Sequence, residues 1–134
     1  MLATLPSSLD AAAEIAAEPV HVTVTWTEDG SRNGLWSIHP KVVTIDSKAG
    51  LIIYTFSGES TPGVRFATAP VLWIEPSDPD NFVISAAGQQ VLIADANETT
   101  GLISQSFSFL LLADYGGITR ISPDPTIINK EPSY

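Results

Sequence analysis

From Val20 onward the chain alternates. Val20, Val22, Val24 and Trp26 fall on one side of an extended backbone, and His21, Thr23, Thr25 and Thr27 fall on the other. Successive side chains of a strand point to opposite faces, so this pattern predicts a half-buried strand with an apolar inside and a Thr-rich outside. Asp29-Gly30 and Asn33-Gly34 then mark turns. Residues 35–39 form a second short strand ended by Pro40, and residues 41–46 a third, in which Val43 and Ile45 face opposite to Val42 and Thr44. In residues 51–57, Ile52, Tyr54 and Phe56 share one face, but Leu51, Ile53 and Thr55 opposite them are also largely apolar. A strand apolar on both faces is expected at the centre of a sheet.

The same punctuation runs to the end. Residues 64–68 and 71–75 read as two short strands around Pro70, which marks a bend or an edge. Residues 82–86 and 91–95 make a hairpin around Gly88, and 77–81 and 95–99 are acidic loops or loop starts. In the long apolar run 102–113, Phe107, Phe109 and Leu111 alternate with Ser106, Ser108 and Leu110. Residues 114–117 turn the chain and 118–122 return it. The tail 123–134 is Pro-rich and extended, with Thr126-Ile127-Ile128 lying along a sheet edge and one Ile tucked inward.

Eight or nine short strands at such spacing, with no long helix between them, predict an all-β, antiparallel two-sheet sandwich. Residues 1–19 stand apart. They are Ala-rich, with Ser7 or Ser8 available as a cap and Pro19 as a stop, and form either a short docked helix or a frayed leader. The division is thus a leader over 1–19 and one sandwich domain over 20–134.

Charge narrows the partners. Fifteen acidic against six basic residues give a net charge of −9, and the basic residues are scattered singly. A polyanion is repelled by such a surface, which argues against nucleic acid. Only 16% of residues are charged, so the exterior sheds water easily at a contact. That favours a homo-oligomer or an unidentified protein partner. No run approaches the roughly 20 apolar residues of a membrane helix. Asp10, Glu14 and Glu18 interrupt the N-terminal apolar stretch, which also lacks a basic start, so it does not read as a secretory signal. With no Cys, neither disulfides nor thiolate metal sites arise; this does not fix the compartment but fits a bacterial cytoplasm, and with no secretory signal or membrane run a cytoplasmic location is the expectation.

Candidate chemistry is sparse. The two histidines, His21 and His39, sit on a Thr-bearing strand face and at a strand end. Gly58-Glu59-Ser60 lacks the second Gly of a nucleophile elbow and is not placed between strand and helix. There is no His pair at helical spacing for zinc and no Gly-rich phosphate loop. Asn97-Glu98-Thr99 has the form of a glycosylation triplet, a pattern common by chance. The acidic loops hold the best oxygen donors: Asp78 and Asp80 in one, Asp95 and Asn97 in the other. Calcium takes six to eight oxygens, and such loops supply several, but neither follows the twelve-residue calcium pattern. Asp and Asn in turns more often bond the backbone. Of three tryptophans, Trp26 and Trp73 lie among aliphatic residues and are expected inside. Trp36, just beyond a Gly-rich turn, is the one placed to stack on a sugar.

The run from Phe107 to Gly117 (Phe-Ser-Phe-Leu-Leu-Leu-Ala-Asp-Tyr-Gly-Gly), followed by Ser122-Pro123-Asp124-Pro125 and Lys130-Glu131-Pro132, resembles the bacterial DP-EP family. The pairs Asp124-Pro125 and Glu131-Pro132 fit that name. The resemblance implies an immunoglobulin-like sandwich and supplies no activity. Asp124 and Glu131 are then either turn-holding groups or a binding pair. Together these readings predict a non-enzymatic structural or interaction module, able to self-assemble and without a cofactor. The alternative is a small-ligand module taking calcium or carbohydrate through its acidic loops.

Overall fold

The structure is a computed structural model and describes residues 18–99 and 104–131. The expected leader therefore lies, but for Glu18 and Pro19, outside the described residues, as do the last three positions of the tail.

Among the described residues ten strands follow one another: β1 (Val20–Thr27), β2 (Leu35–His39), β3 (Val42–Ile45), β4 (Gly50–Phe56), β5 (Arg65–Glu75), β6 (Phe82–Ala86), β7 (Gln90–Asp95), β8 (Gln105–Tyr115), β9 (Ile118–Ile121) and β10 (Thr126–Asn129). They form two facing sheets. The first has the order β2-β1-β4-β7-β6; the second has the order β3-β10-β8-β5, with β9 also paired to β8. The expected sandwich is present, but its sheets are mixed rather than purely antiparallel. β1 runs parallel to β4, with Val22 beside Tyr54, and β10 runs parallel to β3, with Ile127 beside Val43. Alternation in a sequence fixes which face a residue occupies; it leaves the neighbour and its direction open.

Two local expectations also change. The segments flanking Pro70 are one strand, β5, whose register slips between Phe66 and Val71 and again between Trp73 and Glu75. β5 ends its sheet, so the absent N–H of Pro70 removes no second ladder bond there. β10, expected at an edge, lies between β3 and β8.

The inward phases match the alternation. Val22, Val24 and Trp26 of β1, Val43 and Ile45 of β3, Ile52, Tyr54 and Phe56 of β4, Phe107, Phe109 and Leu111 of β8, and Ile127 of β10 are all buried in one cluster between the sheets. Its rings interlock. Phe56 stacks on Phe66 at 4.0 Å, Trp73 on Phe82 at 4.5 Å, and Tyr54 meets Phe109 edge-on at 5.9 Å. β4 is central, as its doubly apolar pattern predicts. Its outward Leu51 joins Leu92 and Ala94 of β7 in a second, smaller cluster against Ile53 and Val83.

One end of the sandwich is closed by Trp26 and Arg120. The indole nitrogens of Trp26 and Trp36 both donate to the carbonyl of Asn33, each at 2.8 Å. The guanidinium of Arg120 lies over the rings of Trp26 and Tyr115 at 5.5 and 5.6 Å. It also donates to the carbonyls of Tyr115, Ser31 and Arg32 and pairs with Glu28. The β8–β9 hairpin is thereby tied to the β1–β2 connection.

Candidate functional site

At another place on the sandwich, one side chain from each sheet meets in the interior. Asp95 is the last residue of β7 and Asn129 the last of β10. Both occupy the inward phase of their strands, after Ile93 and Ile127, and both are buried. Asn129 donates from Nδ2 to Oδ1 of Asp95 at 3.0 Å, and Asn81, from the loop after β5, donates to the same oxygen at 3.1 Å. The other carboxylate oxygen of Asp95 and Oδ1 of Asn129 are buried without a hydrogen-bond partner, and so is the hydroxyl of Thr99. Burial pushes the Asp95 carboxyl up to about 6, against the pull of the Asn129 and Asn81 bonds and with the charge of Glu98 adding to it.

Above this group opens a recess of about 440 Å³, whose lining includes Asp78, Asp80, Asn81, Glu98, Thr99 and Asn129. The two acidic loops named from the sequence are thus brought together. Asp78 and Asp80 line the recess and Asp95 lies at the base of the same network. Asn97 does not join them. Its Nδ2 donates to the carbonyls of Ile45 and Lys130, and the residue is buried, which pins the strand ends of β3 and β10. An amide so engaged is not displayed as a glycan acceptor. Among the described residues no group of three or more acidic or histidine side chains converges as a metal centre. What the recess offers is a mixed set of carboxylate, amide and hydroxyl oxygens.

The remaining sequence candidates are separate. Trp36 is half-buried against the core with its indole nitrogen held by Asn33, so it offers no free platform. Asp124 and Glu131 are both exposed, at opposite ends of β10. Extended backbone rises about 3.3 Å per residue, which keeps these two roughly 20 Å apart and in different places. His21 and His39 are exposed on the outward, Thr-bearing face of the first sheet, where Thr23 pairs with His39.

A second feature is the outward face of the second sheet. Leu72 lies beside Leu110 and Leu112 beside Ile121, in register across β5, β8 and β9. Leu72, Ile74 and Ile121 are 49%, 46% and 38% exposed. Arg65, Asp114 and Thr119 border this stripe at one end, and Glu75, Ser106, Ser108 and Thr126 at the other. Among the described residues no helix is long and apolar enough to cross a membrane.

Asn129 and Arg120 were missed as candidates, although a signal existed. Each is a polar residue at the inward phase of its strand, where the alternation calls for an apolar one.

A search of curated proteins returned no match. The family model named DP-EP family matches residues 18–131, which takes in every strand described above, and the chain belongs to the DP-EP family.

Proposed function

We propose that this chain is a non-enzymatic interaction module that pairs with a second copy of itself through the outward face of its second sheet. The observation that carries the reading is the registered stripe Leu72–Leu110 and Leu112–Ile121, flanked by exposed Ile74 and rimmed by polar and charged residues. An apolar centre with a polar rim is the usual anatomy of a protein contact. A second copy suits it best. Two copies each carrying −9 repel across most of their surfaces, and this uncharged centre keeps the carboxylates of Asp114 and Glu75 to its rim. A two-fold contact lays the same patch against itself, which a uniformly apolar stripe satisfies.

The edges of this second sheet are poorer candidates. β5 is kinked by two register slips and contains Pro70, and β3, at the other end of that sheet, has four residues. Short and irregular edges resist strand addition.

Sedimentation velocity across the micromolar range tests the reading. The expected result is a dimer for the wild type and a monomer for Leu112→Glu, with unchanged far-ultraviolet circular dichroism. A wild type that is monomeric throughout, or a dimer indifferent to Leu112→Glu, overturns it.

A further inference from the structure

The buried network beneath the acidic recess leaves a chemical demand unmet. Three buried oxygens, Asp95 Oδ2, Asn129 Oδ1 and Thr99 Oγ1, have no hydrogen-bond partner among the described residues. Buried acceptors without donors are costly and are rare in native proteins. Their arrangement is not accidental to the hydrogen bonding. Because an ionised carboxylate only accepts, Asn129 and Asn81 must turn their nitrogens toward Asp95 Oδ1, which leaves Asn129 presenting its oxygen. Asn129 is 1% exposed and forms part of the recess wall. The recess adds Asp78, Asp80 and Glu98, so it gathers negative charge over oxygens that already lack donors.

One water carries two protons, enough for the two acceptors, but it does nothing to offset the charge of the carboxylates gathered around the recess. A hard cation answers both needs. We propose that this recess is a calcium site, with Asn129 Oδ1 at its base, the buried Asp95 carboxylate behind it, Glu98 as the carboxylate that closes over the ion, and water completing the shell. Calcium tolerates a mixed and irregular oxygen set at 2.3–2.6 Å, whereas magnesium demands near-ideal octahedral geometry and dehydrates reluctantly. Among the described residues no three acidic or histidine side chains converge, so amide oxygen and water must supply most of the shell.

The ion would join β7 of the first sheet to β10 of the second and hold the 95–99 segment against the loop at 78–81. Its binding therefore reads out as stability of the whole sandwich, because a ligand taken only by the native state raises the melting temperature. The proposal is independent of pairing through the second sheet, which lies on an outward face.

The test is calorimetry on the full chain stripped with a chelator and titrated with calcium chloride, with magnesium chloride in parallel. Expected are one saturable site, a melting temperature higher by several degrees at millimolar calcium, and a much smaller rise with magnesium. Glu98→Gln, at an exposed position, should leave the metal-free protein folded, as read by far-ultraviolet circular dichroism, and weaken calcium at least tenfold. Asn129→Asp, if it folds, should strengthen it. No calcium-dependent rise in the wild type, or a rise that Glu98→Gln leaves intact, overturns the assignment.

Discussion

Asn129 donates a 3.0 Å hydrogen bond to Asp95 across the interior, and with it the last residue of β10 in the second sheet holds the last residue of β7 in the first. This polar tie stands where the alternation of both strands would otherwise place an apolar side chain. The first prediction concerns its titration.

The folded carboxyl of Asp95 sits near 6 against an ordinary 3.8, chiefly through burial. Between those values the native state holds a proton that the unfolded chain has lost. The stability that this group contributes is therefore full below about pH 4, declines as pH rises to about 6, and is gone above. At about 1.4 kcal/mol per unit the full decline is roughly 3 kcal/mol. Melting temperatures of chelator-treated protein should fall between about pH 4 and pH 6, and Asp95→Asn should remove that slope. A flat wild-type profile, or one that Asp95→Asn reproduces, would refute the account.

Tyr54 is almost fully buried, its hydroxyl has no hydrogen-bond partner, and burial pushes its phenol well above the usual range. Removing a buried hydroxyl that bonds nothing relieves a desolvation cost of about 1–3 kcal/mol. Tyr54→Phe should be as stable as the wild type or more so in urea denaturation. A loss above about 1 kcal/mol would mean that the hydroxyl has a role this geometry lacks.

Arg120 serves three carbonyls, two rings and Glu28 from a buried position. Truncation strands those carbonyls and removes the planar group stacked on Trp26. Arg120→Ala should cost about 3–5 kcal/mol, and Arg120→Lys should recover only a minor part, since an ammonium neither forks nor stacks. Chemical denaturation of both variants decides this; full rescue by Lys would show that charge alone matters.

Two glycines separate backbone strain from crowding. Gly30 and Gly34 both have positive φ, at 86° and 72°. A Cβ at Gly34 would lie 2.3 Å from Nε1 of Trp26, whereas one at Gly30 meets nothing within 4 Å. Gly30→Ala should cost about 1 kcal/mol, the left-handed backbone penalty. Gly34→Ala adds displacement of a core tryptophan and should cost roughly 3 kcal/mol or more. Equal losses in thermal denaturation would contradict the packing around Trp26.

Much of the sandwich was legible along the chain because its strands bury one face at a time. The inward phases of β1, β3, β4 and β8, the β6–β7 and β8–β9 hairpins and the central place of β4 follow from local pattern and turn chemistry. The acidic loops were legible as oxygen donors, but not their meeting. Asp78 and Asp95 are separated by the whole β6–β7 hairpin, and only the packing of the two sheets sets them over Asn129. Asn97 was read with Asp95 because the two are neighbours in sequence, yet one turns to the recess network and the other to Ile45 and Lys130.

By itself the sequence determined the face of each residue, since period-two alternation against water is a local rule. It also determined the charge, and the resemblance in the last third that carries the family. Tertiary structure alone decided which strands are neighbours, that two pairs run parallel, and which groups the inward-phase Asp95, Asn129 and Arg120 bond. Strand pairing and buried hydrogen bonds join residues far apart along the chain, and their partners are chosen by the packing of one sheet on the other.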